Sequence, residues 1–159
     1  MILVLLGTIK MPFVRLLDIL EEAIFNGYIK DTVVVQSGYT KYSSDNLSLV
    51  PFFSREKLDK LYDEADFIVS HGGTGSILAG IKKNKKVIAV PRYKIYGEHV
   101  DDHQLELVSV FSDEGYVLPI YKNSSFGDVM VRLNSFEPKQ YVSNRYDVVE
   151  YISSYIDNL

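Results

Sequence analysis

Apolar positions along this chain fall into two kinds of pattern. Short continuous runs occur at residues 2–6, 32–36, 67–70 and 87–90, each dominated by Val, Ile or Leu. Continuous rather than alternating runs predict strands covered on both faces, as in a parallel sheet. A weaker run at 47–50 precedes Pro51, and a sixth strand is expected within 116–120. Between the runs the spacing becomes helical. Leu16, Leu17, Leu20 and Ile24 share one face, with Gly27 as a stop. Ser54 is placed to cap a helix through Leu58, Leu61 and Tyr62. Asp101 followed by Gln104 has capping-box form ahead of Leu105, Val108 and Phe111; Ser125 and Asp128 repeat that signal before Val129 and Leu133. Residues 134–146, with Pro138, read as a crossing loop. A last helix near 147–156 carries Val148, Ile152 and Tyr155 in a stripe expected to pack on the domain's own core.

Strand–helix alternation of this kind predicts an α/β fold: a doubly wound, mainly parallel sheet with helices on both faces. The length of 159 residues fits a single domain over 1–159, with 134–159 as its terminal loop and helix. In such sheets ligands sit beyond the carboxyl ends of the strands. The informative segments are therefore 7–13, 37–46, 51–54, 71–76 and 91–102. The basic run 82–86 (Lys-Lys-Asn-Lys-Lys) belongs to the opposite edge, where it complements a helix C-terminus and is solvated.

Composition adds exclusions. Hydrophobic residues at 47% and charged residues at 24% are those of an ordinary globular chain, and a formal charge of −4 argues against nucleic acid as a partner. With no cysteine, disulfides, thiolate metal sites and thiol nucleophiles are excluded. The apolar start stops at Gly7 and lacks a basic region, so it reads as a strand and not as a signal peptide. No stretch approaches the ~20 apolar residues of a spanning helix. A soluble, cytoplasmic location is expected.

The richest candidate chemistry lies in Ser70-His-Gly-Gly-Thr-Gly-Ser-Ile77, where an apolar run ends in a glycine-rich turn opening into a helix. Gly72, Gly73 and Gly75 let a ligand approach the backbone, and Thr74 and Ser76 offer caps and hydroxyl donors. Unpaired N–H groups and the helix dipole favour an anion there. Gly7 and Thr8 form a second turn facing the same crevice. Neither G-x-G-x-x-G nor G-x-x-x-x-G-K-[ST] occurs, which excludes the dinucleotide fingerprint and the P-loop.

A second cluster runs from Pro91 to Gln104 and concentrates Arg92, Glu98, His99, Asp102, His103 and Gln104. Its histidines and aspartates are metal-ligand types, but no H-E-x-x-H is present, and no metal is expected. A carboxamide and a histidine at a helix start suit sugar hydroxyls, because both donate and accept. An anion site beside such a cluster describes a nucleotide-sugar pocket. Asp101 and Asp102 also read as simple N-caps, and Arg92 as a surface ion pair.

The stretches Leu6-Gly-Thr-Ile-Lys-Met-Pro-Phe-Val-Arg-Leu16, Val35-Gln-Ser-Gly38, 70–77, Val90-Pro-Arg92 and Tyr96-Gly-Glu-His-Val-Asp-Asp-His-Gln-Leu-Glu-Leu107 together resemble the nucleotide-sugar-binding, C-terminal half of GT-B glycosyltransferases of family 28. More narrowly, the chain is similar to the small subunit of two-subunit enzymes. These include capsule and exopolysaccharide transferases of the PssE type and the cytosolic subunit of the dolichol-pathway GlcNAc transferase. The resemblance implies a UDP-sugar donor. Gly73, Thr74, Gly75 and Ser76 would cradle its diphosphate, assisted by Gly7, Thr8, His71 and Gly72. Phe52 and Phe53 would hold uracil, and Glu98, His99, Asp102, His103 and Gln104 the sugar, with Arg92 in support. It also implies no cofactor, a membrane-anchored acceptor-binding subunit that supplies the general base, a polyprenyl-diphosphate-linked saccharide, and a peripheral position at the inner face of the membrane. Relatives carry an acidic residue where this chain has Ala79, so ribose binding would need another group, such as Glu98. A non-catalytic binding or regulatory module is the alternative. A nucleotide-sugar epimerase fits less well, because it needs acids and a second domain within one chain. In isolation the chain is expected to self-associate through Tyr93 and Tyr96.

Overall fold

A computed structural model of the chain describes residues 1–143 and 145–157. Six strands form one sheet: β1 (Ile2–Leu5), β2 (Val33–Gln36), β3 (Leu47–Val50), β4 (Phe67–Ser70), β5 (Lys86–Ala89) and β6 (Leu118–Pro119). Every pairing is parallel and the spatial order is β3-β2-β1-β4-β5-β6. The predicted doubly wound α/β architecture is therefore present, with its switch point between β1 and β4.

The period of two in the strands divides the core. Ile2 and Val4 point to one face with Val33, Val35, Phe67, Val69 and Ile88. Leu3 and Leu5 point to the other with Ile68, Val87 and Ala89. The helices α1 (Val14–Phe25) and α5 (Phe126–Ser135) cover the first face through Leu16, Leu17, Leu20, Val129 and Leu133. The second is covered by α2 (Arg55–Glu64), α3 (Thr74–Lys82) and α4 (His103–Asp113), through Leu61, Tyr62, Ile77, Ile81 and Val108.

Helix ends follow the expected signals at three places and depart from them at two. The Ser54 hydroxyl accepts from Lys57 N–H, the Ser125 hydroxyl accepts from Asp128 N–H, and Gly27 takes φ +74° just past α1. At α4 no capping box forms. Asp102 is the N-cap residue and its carboxylate accepts from Lys94 N–H; Asp101 accepts from His103 N–H, and Gln104 turns inward. At α3 neither Thr74 nor Ser76 caps, because Gly73 is the N-cap residue and has no side chain to do so. The basic run does complement helix C-termini, but those of helices other than the one it follows: Lys85 Nζ donates to the carbonyls of Asp63 and Ala65 ending α2, and Lys86 Nζ to those of Leu133 and Asn134 ending α5.

The last helix, α6 (Arg145–Asp157), does form, but its stripe does not pack on the core. Ile152 is 51% and Tyr155 62% exposed; the Val148 side chain lies outside the described residues. An apolar stripe specifies burial without saying against what, and here the sheet's two faces are already covered by the other five helices. Among the described residues no helix is long and apolar enough to cross a membrane.

Candidate functional site

Because all strands are parallel, their carboxyl ends share one edge, and the turns after β1, β2, β3, β4 and β5 converge there. A cavity of about 390 Å³ opens at the switch point. It is lined by Leu5, Gly7, Thr8, Gln36, His71, Gly73, Gly75 and Ser76, with Leu58, Tyr62 and Ala79 as an apolar wall from α2 and α3. Six of the eight residues expected at the diphosphate are thus in one wall. Of the other two, Thr74 is exposed at the start of α3 and Gly72 turns away towards α4.

The anion-binding capacity of this wall resides in the backbone. The first bond of α3 runs from Ile77 N–H to the Gly73 carbonyl at 3.1 Å, so the N–H groups of Thr74, Gly75 and Ser76 have no intrahelical acceptor. The expected hydroxyl donor is not free: Ser76 donates to the Gly73 carbonyl at 2.9 Å and lies 2.7 Å from the Ser70 hydroxyl. An uncapped helix start facing a cavity leaves its dipole available to an anion.

His71 sets the shape of the cradle. Its Nδ1 lies 3.1 Å from the Leu5 carbonyl, which only accepts, so the proton sits on Nδ1 and Nε2 keeps its lone pair. The ring fills the gap between the two turns. A Cβ on Gly7 would fall 2.5 Å, and one on Gly73 2.3 Å, from His71 Nε2, which is why both positions are glycine. Gly75, by contrast, meets nothing within 4 Å. Burial, with smaller contributions from Arg92 and His99, outweighs the Leu5 bond and lowers the His71 pKa to about 4. The ring is neutral at pH 7.

The structure divides the pair expected at uracil. Phe52 is 46% exposed and meets Tyr39 edge-on, with centroids 5.4 Å apart. Phe53 packs towards the second core, and its N–H donates to Gln36 Oε1 at 3.1 Å. Neither ring lines the cavity; Gln36, Leu58 and Tyr62 do. Sequence reasoning missed these three. The signal was a polar residue closing the Val33-Val-Val run, and Leu58 and Tyr62 one helical turn apart.

The second cluster folds largely on itself. Glu98 is 4% exposed; its carboxylate accepts two bonds from Arg15, at 2.8 and 2.9 Å, and one from Tyr93 N–H at 3.0 Å. It lines no part of the cavity and cannot replace an acidic group at Ala79. Arg92 is no surface ion pair. It is 1% exposed, and it donates to the carbonyls of Leu6, Met11, Pro12 and Glu98 while stacking on Phe13. Burial lowers its pKa to about 10, against the pull of Glu98. Arg15 and Arg92 thereby clamp the turn after β1 to the turn after β5. Gln104 Oε1 accepts from Arg92 N–H at 3.1 Å and sits behind Gly72. His99 pairs with Asp101 at 2.9 Å, Asp102 bonds Lys94, and His103 is exposed beside Glu106 at 3.4 Å. None of the five expected sugar contacts lines the cavity wall. Tyr93 is buried, with its hydroxyl accepting from Lys122 N–H, so of the two expected association residues only Tyr96 is exposed.

Comparison with known proteins places this geometry in a family. Residues 1–154 match the glycosyltransferase family 28 C-terminal domain. The chain is similar to the UDP-N-acetylglucosamine transferase subunit ALG13 of Candida albicans, 27% identical over 99 residues covering 60% of this chain and 32% of that protein. Across three such yeast relatives the matched region spans 32% to 54% of their length. An NMR structure of ALG13 shares the fold over 89% of each chain, with TM-score 0.54 at 18% identity. So does MurG of Acinetobacter baumannii, over 84% of this chain and 40% of that one, with TM-score 0.57 at 21% identity. With its all-parallel sheet and its cavity at the switch point, this chain belongs to the family of the glycosyltransferase family 28 C-terminal domain.

Proposed function

We propose that this chain is the donor-binding subunit of an inverting UDP-sugar glycosyltransferase and works with a membrane-anchored, acceptor-binding partner. The observation that carries the reading is the uncapped start of α3 facing a cavity of nucleotide size beside the Gly7–Thr8 turn. Family membership and the name of its relatives as subunits of a UDP-N-acetylglucosamine transferase support it. In the reaction an acceptor hydroxyl attacks the anomeric carbon from the side opposite UDP. A base on the acceptor half takes its proton, and the bond from carbon to phosphate oxygen breaks. Negative charge growing on the departing diphosphate meets the N–H groups of Thr74, Gly75 and Ser76, which are fixed before the reaction; no metal is required in this scheme. The exposed His103, beside the half-buried His99, is then open to the sugar and the partner. A polyprenyl-diphosphate-linked acceptor, a role in capsule or exopolysaccharide synthesis, and a position at the inner membrane face are the parts of the proposal that rest on resemblance.

Calorimetric titration with UDP tests the site. Gly75→Asp introduces a side chain into open space, so the fold is retained while the carboxylate meets the diphosphate. UDP affinity is expected to fall at least tenfold, on the order of one lost charge-assisted contact. Unchanged affinity overturns the placement. Co-expression with the partner, followed by assay of UDP release with lipid acceptor, tests the activity. UDP binding without release from any UDP-sugar favours the non-catalytic binding module, for which the apolar Ala79 on the cavity wall is the supporting observation.

A further inference from the structure

Gln36 ends β2 at the floor of the cavity and is 8% exposed. Its carboxamide orientation is fixed by chemistry. The Phe53 N–H can only donate, so the atom 3.1 Å from it is Oε1 and the other end is the NH₂ group. No bond from Nε2 to a protein acceptor occurs among the described residues. The side chain therefore offers the cavity two donors from a rigid strand end, while Oε1 is engaged by the Phe53 N–H. Leu5, Leu58, Tyr62 and Ala79 beside it form an apolar lining suited to the faces of a planar ring.

We infer that Gln36 reads the base of the bound nucleotide, selecting a pyrimidine with a ring carbonyl where cytosine carries an amino group. This rests on the nucleoside-diphosphate reading above. With the anion at the start of α3, the base of the same molecule lies against the apolar lining, and its polar edge faces Gln36. A uracil carbonyl accepts from Nε2. The cytosine amino group is itself a donor, so the two would face each other unpaired, with both desolvated. Selectivity of this kind comes from the mismatch rather than from the match. The bond to Phe53 N–H has a second consequence: it ties the turn after β3, and with it the start of α2, to the group that reads the base.

The test is calorimetric titration of the full chain with UDP and with CDP. Wild type is expected to prefer UDP by about tenfold to a hundredfold, the range for one unsatisfied buried donor. Gln36→Glu keeps an acceptor for Phe53 N–H but replaces the free donor by an acceptor, and should abolish or invert the preference. Gln36→Met, neutral and without donors, should bring the two affinities together and serves where the buried carboxylate prevents folding, as judged by thermal melting. Equal wild-type affinities, or a preference that survives either folded variant, overturns the inference and leaves the nucleotide site standing. A loss that falls equally on both nucleotides marks a purely structural residue and also overturns it. A wild type that binds neither nucleotide overturns the nucleotide reading itself, and the inference with it.

Discussion

At the scale of single residues, His71 couples the fold to pH. Its folded pKa of about 4 lies below the ordinary value of 6.5, chiefly through burial. Above pH 6.5 the ring is neutral in folded and unfolded chains, and its contribution to stability is complete. As pH falls from 6.5 towards 4, the unfolded chain takes up a proton that the folded chain refuses, and stability drops by roughly 3 kcal/mol. The urea midpoint of wild type should fall over that window, and His71→Gln, which keeps a donor for the Leu5 carbonyl, should flatten the slope. The neighbouring glycines make an independent prediction. Gly73→Ala drives a methyl group into the His71 ring and should lower the melting temperature, whereas Gly75→Ala meets nothing and should leave it unchanged. Three glycines in four positions look equivalent in sequence. The structure gives them different tasks: a positive φ of +81° at Gly72, room for an imidazole at Gly73, and an open approach at Gly75.

At the scale of elements, the contrast between α2 and α3 separates stability from function. α2 starts with a bonded cap, so Ser54→Ala should cost about 1 kcal/mol in denaturant unfolding. α3 starts without one, and Thr74→Ala should change stability by less than about 0.5 kcal/mol. A cost for Thr74→Ala equal to that for Ser54→Ala would show that the helix start is capped after all and closed to anions. The run 82–86 shows the complementary logic at the other edge, where Lys85 and Lys86 satisfy the terminal carbonyls of α2 and α5. The N–H groups at the amino end of α3 are left without intrahelical acceptors, and terminal carbonyls of α2 and α5 are tied down. This element logic was legible in advance wherever the partner was local, as for Ser54, Ser125 and Gly27. It failed at Asp101–Gln104 because Gln104 is claimed by Arg92 N–H, a partner twelve residues away that no local rule reveals.

At the scale of the whole molecule, the turns after β1 and β5 are clamped together by side chains. Arg15 and Glu98 stand 83 residues apart and close that connection with two charge-assisted bonds. Arg15→Met would leave a nearly buried carboxylate without its cation and should destabilise the chain by about 3 kcal/mol. Glu98→Gln added to that variant should restore part of the loss, so thermal melts around the double-mutant cycle should be strongly non-additive. Additive effects would show the pair to be incidental. The sequence by itself determined the strand runs, their parallel order of covered faces, the position of the glycine-rich turn, and so the edge at which the cavity opens. Those features follow from periodicity and local backbone chemistry, which act over a few residues. Tertiary structure alone decided which polar side chains remain available. Glu98 and Arg92, both expected at the sugar, are spent on the scaffold; Gln36, matched within the Val35–Gly38 stretch and given no role there, keeps its donors. At Gly73–Ser76 the helix start faces the cavity with N–H groups that lack intrahelical acceptors, whereas the Ser76 hydroxyl is bonded to the Gly73 carbonyl. Availability depends on which groups distant segments bring within hydrogen-bond reach, and no spacing along a chain encodes that directly.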